Sequence, residues 1–123
     1  MSNEINTTIN VQVTNGNFTF PKTGGILQHD QTTAGGGLPG YVVTSTTETT
    51  VDTSSLTSEG FVYIKNLDDT DSIEYGPDSG GSVVSFGLVK PGEEHLFRLK
   101  PAVTFKVIAQ ANTPAAMIFV FEA

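Results

Sequence analysis

V-T-F-K-V-I-A-Q-A-N-T-P-A-A-M-I-F-V-F-E-A, residues 103–123, holds two β-strands of different kinds. In the first, Val103, Phe105, Val107 and Ala109 fall on one side of an extended chain, and Thr104 and Lys106 on the other. This is the period-two alternation of a strand with one buried face. In the second, A-M-I-F-V-F, apolar residues fall on both sides. Such a strand is central in its sheet or is covered by a second chain. The two together point to β structure with a dry interior.

Upstream, the same pattern recurs at intervals of about ten to twelve residues, as F-V-Y-I-K-N-L, S-I-E-Y-G, V-V-S-F-G-L-V and E-H-L-F-R-L-K. The turns between these runs have chemical reasons. In V-K-P-G-E-E, Pro91 presets φ at the first corner and Gly92 accepts positive φ at the second, a type II turn. Nowhere does a dozen-residue stretch keep apolar side chains at i, i+3, i+4 and i+7, so no helix is expected.

The first half is less regular. Ile9, Val11 and Val13 alternate with polar neighbours, and Asn15-Gly16 reads as the turn of a hairpin over 6–20 that returns through F-T-F. I-L-Q-H-D-Q-T-T reads as a short strand between glycine-rich loops, and 35–40 as a mobile loop or arm. The stretch 41–55, rich in Thr and almost without apolar residues after Val43, fits a long edge strand running into a polar loop; the alternative is a disordered linker.

These elements give an all-β chain of one domain over 1–123: an N-terminal segment and hairpin at 1–20, a Gly- and Thr-rich loop and edge region at 33–58, and a regular β core at 60–123. The expected architecture is an antiparallel β-sandwich, jelly-roll-like or Greek key, of about eight to ten strands.

Composition narrows the functional classes. Thirteen acidic against six basic residues give a net charge of −7, which repels phosphate backbones and anionic membranes, so neither nucleic acid nor membrane is expected as a partner. With no cysteine there is no disulfide framework, thiolate zinc site or cysteine nucleophile. M-S-N-E-I-N-T-T-I-N has neither a basic start nor an apolar core of a signal peptide, and no window approaches the roughly 18 apolar residues of a membrane helix.

The acidic group Asp68, Asp69 and Asp71 is the strongest metal candidate. It lacks the alternating oxygen ligands, central glycine and closing Glu of a calcium loop, and reads first as a solvated turn that resists edge pairing. His29 and His95 belong to no triad pattern. On alternation His95 shares a face with Phe97 and Leu99, as a hydrogen-bonded interior or interface histidine does. T-T-A-G-G-G-L-P-G lacks the lysine and flanking elements of a phosphate loop. No cofactor is expected, and no enzyme activity; an enzyme here would need paired carboxylates such as Asp69, Asp71 and Glu74.

G-F-V-Y-I-K-N-L-D-D-T-D-S-I-E-Y-G, F-G-L-V-K-P-G-E-E-H-L-F-R-L and V-I-A-Q-A-N-T-P-A-A-M-I-F-V-F-E-A together resemble a pattern of small virion proteins of tailed bacteriophages. That pattern has an aromatic strand ending K-N-L-D, a short strand ending in glycine, an L-K-P-G-E turn, an F-R-L strand, and A-N-T before a closing apolar strand. The resemblance covers Phe61 to Glu122; here Val89 is inserted between Leu88 and Lys90.

The resemblance implies a structural virion component and no catalytic residues. Capsid decoration (cement) is the expected role, bridging adjacent major capsid subunits on the capsid exterior after synthesis in the bacterial cytoplasm. The alternatives are a tail, neck or fibre-associated β-domain, or a host-glycan-binding module using Tyr41, Tyr63 or Tyr75. The expected partners are the major capsid protein or other virion proteins, and further copies of the chain, with a homotrimer favoured. Interface candidates are Ile5, Ile9, Phe18, Phe20, Tyr41, His95, Phe119 and Phe121.

Overall fold

The computed structural model describes residues 4–29, 31 and 36–122, and every regular element among them is a β-strand. The chain divides into two compact units, residues 1–32 and 33–123.

The first unit is one antiparallel hairpin of β1 (Ile5–Asn15) and β2 (Phe18–His29). It is longer than the 6–20 expected from sequence, because β2 continues through Pro21, Gly24 and Gly25 and absorbs the separate strand expected at I-L-Q-H. Both strands of a hairpin are edges, so a proline without an N–H is tolerated there. Asn15 pairs with Phe18, so the turn residues are Gly16 and Asn17, one position later than the Asn15-Gly16 turn expected. The register shifts between Thr8 and Asn10, where β2 carries an extra residue.

The second unit is the sandwich. One sheet has the order β3 (Gly36–Val43), β11 (Ala115–Glu122), β5 (Glu59–Asn66), β9 (Glu94–Arg98). The other runs β4 (Thr49–Thr50), β10 (Phe105–Ala109), β6 (Ile73–Ser79), with β7 (Ser82–Val83) and β8 (Gly87–Val89) both pairing with β6. The pairs β3·β11, β4·β10, β5·β9 and β6·β8 nest one inside the next, as in a long antiparallel hairpin folded across two sheets. That is the jelly-roll arrangement.

Alternation explains why these segments pack as they do. Val62 and Ile64 of β5, Ile118 and Val120 of β11, Ile73 of β6, Val89 of β8 and Val107 of β10 are fully buried between the sheets. The two expectations from 103–123 hold: Phe105, Val107 and Ala109 are buried together with Val103 packed beside them, and β11 is central, flanked by β3 and β5. Glu93 N donates to Lys90 O at 3.0 Å and Gly92 has φ +76°, closing the Pro91-Gly92 turn as expected. Gly87 admits no side chain, since a Cβ there would sit 2.1 Å from the Tyr75 ring.

Two expectations are corrected. Residues 36–40 are not a loop but the start of β3, hydrogen-bonded along β11; Gly35 lies outside the described residues. The disordered-linker alternative for 41–55 also fails, because Thr49 and Thr50 pair with β10 and Val51 enters the core.

Candidate functional site

The acidic turn joins β5 to β6. Asp68 Oδ2 accepts the backbone N–H groups of Asp71 (2.7 Å) and Thr70 (2.9 Å), and these bonds hold its carboxyl below the usual carboxylate range. Asp71 Oδ2 accepts from Asn112 Nδ2 at 2.9 Å, and Glu74 Oε2 accepts from Gln110 Nε2 at 3.0 Å. Asp69 is exposed on the turn. Asp68, Asp71 and Glu74 are engaged in capping and bracing, and no group of three or more His, Cys, Asp or Glu able to hold a metal occurs among the described residues.

The K-N-L-D and K-P-G-E segments converge on one buried side chain, Asn66. Its Nδ2 donates to Asp71 O (2.8 Å) and Val89 O (3.0 Å), and its Oδ1 accepts from Asp68 N (2.9 Å). Its backbone N–H donates to Glu93 O and its carbonyl accepts from Gly92 N. Next to it, Leu67 N donates to Ala115 O, and Asn112, at φ +55°, reaches Asp71. The K-N-L-D, K-P-G-E and A-N-T segments are thus three connections tied together at one end of the sandwich. They specify architecture.

His95 lies on the inner side of β9, half-buried, with Nδ1 at 2.9 Å from Tyr75 Oη. It is the hydrogen-bonded interior histidine expected from alternation. Tyr75 is itself buried, stacked on Phe97 at 5.2 Å, and burial pushes its hydroxyl pKa up. That removes Tyr75 from the glycan-binding candidates. A cavity of about 340 Å³ opens beside these rings, with Phe86, 88% exposed, at its wall. Its lining is mostly apolar and gathers no acid-base pair.

Two surfaces remain. The first is the outer face of the β3-β11-β5-β9 sheet. Register sets three rows across it: Tyr41–Met117–Lys65–Glu94, Pro39–Phe119–Tyr63–Leu96, and Gly36–Phe121–Phe61–Arg98. Tyr63 stacks on Phe119 at 5.8 Å, Phe119 lies 6.4 Å from Phe121, and Arg98 covers the Phe61 ring at 4.5 Å. The Tyr63 hydroxyl donates to Glu94 Oε2, which raises its pKa. Tyr41 is 64% exposed and Leu96 44%. Of the interface candidates, Tyr41, Phe119 and Phe121 meet here, beside Tyr63 of the glycan-binding alternative; Met117 and Leu96 join them only through strand order, which the sequence does not show.

The second surface is the hairpin. On β1, Ile5, Thr7, Ile9 and Val11 alternate with Asn6, Thr8, Asn10 and Gln12. Asn6 Oδ1 accepts from Gln28 Nε2 at 3.2 Å on one side, and the Thr7 hydroxyl lies 3.5 Å from His29 Nε2 on the other. Ile5 is half-buried, whereas Ile9, Val11 and Leu27 are exposed. Phe18 and Phe20 lie on β2, with side chains outside the described set.

Neither a protein-family model nor a curated protein matches the chain.

Proposed function

We propose that this chain is a structural component of a tailed-bacteriophage particle, and within that class a capsid decoration protein that grips adjacent major capsid subunits. The observation that carries the reading is the hairpin. A two-stranded hairpin alone is marginally stable in water, and this one leaves Ile9, Val11 and Leu27 exposed on strands of 11 and 12 residues. It is built to lie on another surface, with its apolar side bound and its Asn- and Thr-rich side wet.

The phage-like pattern on Phe61 to Glu122 supports the same reading. The acidic jelly roll carries the hairpin and supplies a charged exterior that keeps particles apart. Binding adds buried area between shell subunits and resists internal pressure.

The test is co-sedimentation with empty phage heads. The wild-type chain is expected to pellet with heads, and Ile9→Asn combined with Val11→Thr to remain in the supernatant while keeping the wild-type melting temperature. Failure of the wild type to bind heads while it pellets with purified tails would overturn the decoration reading in favour of a tail or neck component.

A further inference from the structure

We infer that the outer face of the β3-β11-β5-β9 sheet is a self-association surface, covered by the same face of a second copy of this chain. Strands buried on both sides read as continuous apolar runs, whereas strands with a wet side alternate. β11 reads A-A-M-I-F-V-F-E, with Ala116, Ile118 and Val120 inward and Met117, Phe119 and Phe121 outward. Its inner side is fully buried and its outer side only half-buried. The sequence is that of a strand between two layers, and the sandwich unit itself supplies one of them.

Charge selects the second copy as the occupant. The chain carries −7 overall, so most of its surface repels another copy. The three rows of this face hold Lys65, Glu94 and Arg98 as their charged residues, one acid against two bases. It is a surface on which two acidic chains meet without a net negative charge on either side. Arg98 over Phe61 and Glu94 beside Tyr63 lie toward the β9 edge and form a polar rim around the aromatic centre.

Area agrees. Three strands of eight residues and one of five, spaced about 4.8 Å apart and rising about 3.4 Å per residue, give a face of about 470 Å² per copy. Two such faces bury about 940 Å², near the lower limit for a specific interface. A face that meets itself closes at two about a two-fold axis. The trimer implied by the phage-like pattern would instead need two different patches.

The inference is independent of the decoration reading, because it is tested without heads. Light scattering across a wide concentration range is expected to give twice the 13.0 kDa of one chain. Tyr41→Asp combined with Leu96→Asp, at exposed positions, is expected to give one chain mass with unchanged circular dichroism. Leu88→Asp, exposed on the opposite sheet, is expected to leave the pair intact.

The chain has no tryptophan, so Phe119→Trp supplies a single reporter, expected to shift to the blue on association and back on dilution. A monomer at every concentration, a mass of three chains, a Tyr41/Leu96 variant that keeps its mass, or an indole emission typical of water in the associated Phe119→Trp variant would each overturn the inference. A chain that pairs but ignores heads would overturn the decoration reading alone.

Discussion

The two sheets of the sandwich share one core and differ in what they show to the outside. The β4-β10-β6 sheet turns Lys106, Ile108, Glu74 and Asp78 outward. Lys106 Nζ lies 3.1 Å from Asp78 Oδ1 and 3.2 Å from Glu48 Oε2. The β3-β11-β5-β9 sheet turns Tyr41, Phe119, Tyr63 and Leu96 outward. Both inner faces alternate equally well, so folding alone does not require the second outer face to be apolar. A wet sheet face is the default for an antiparallel sandwich. The departure from it locates the surface on which this molecule is built to be covered.

Neighbouring residues of β11 test that distinction most severely. Ile118→Ala removes a fully buried side chain and is expected to cost about 3 kcal/mol in urea unfolding. Phe119→Ala, one position along and facing outward, is expected to cost the free chain about 1 kcal/mol while weakening self-association. Equal losses at both positions in the dissociated chain would mean that the outer face is core, and the contrast between the sheets would collapse.

The next effect concerns what holds the two sheets in register. Asn66, at the end of β5, reaches Val89 of β8 and Asp71 of the acidic turn. Asn66→Ala strands the buried Val89 carbonyl and the partly buried Asp71 carbonyl and is expected to cost about 2 kcal/mol by urea unfolding. Asn66→Asp is expected to be at least as damaging, since a carboxylate would face those carbonyls. A neutral Asn66→Ala would show that the shared loops are tied by backbone bonds alone.

How much of this was legible in the sequence follows from which signals are local. The strands from Phe61 onward carry their own alternation and turn residues, so their existence is readable, as is the inward set of Val107 and Phe105. Of β3, Tyr41–Val43 reads as strand, but Gly36, Gly37, Pro39 and Gly40 have little strand propensity; that half is a strand because β11, more than seventy residues away, pairs with it. Asn66 reads as one polar residue among many, since its partners come from two connections, the acidic turn and the end of β8 with its turn into β9. The outward apolar residues of A-M-I-F-V-F were visible, but Tyr41 and Leu96 could join Phe119 on one face only once strand order was known.

Smaller effects probe the polar sheet. Asp78, and then Glu48, raise the Lys106 pKa, and the pairing is expected to matter more than any single charge on the opposite face. Lys106→Met should therefore lower the urea midpoint more than Lys65→Met does. Adding Asp78→Asn to Lys106→Met should recover part of the loss, because it removes the carboxylate left without its cation. Strict additivity in that double-mutant cycle would show that the pair does not brace the sheet.

The smallest expected effect lies at the acidic turn and is read through pH. The Asp68 carboxyl is held below its ordinary range chiefly by the Asp71 N–H, and Glu48 is lowered chiefly by the Val83 N–H. A carboxyl with a depressed folded pKa contributes stability above its unfolded pKa, about 4, and loses it as pH falls through the folded value. Lys106, shifted upward, contributes below its unfolded pKa of about 10.4 and loses that as pH rises through the higher folded value. The urea midpoint should then be flat near neutrality and fall on the acid side. Asp68→Asn keeps a side-chain oxygen for the turn but cannot titrate, so its midpoint should decline less between about pH 5 and pH 3 than that of the wild type, by a modest margin because the turn is open to water. An unchanged acid-side slope would mean that Asp68 serves solubility rather than the fold, and that the polar sheet alone carries the response to acid.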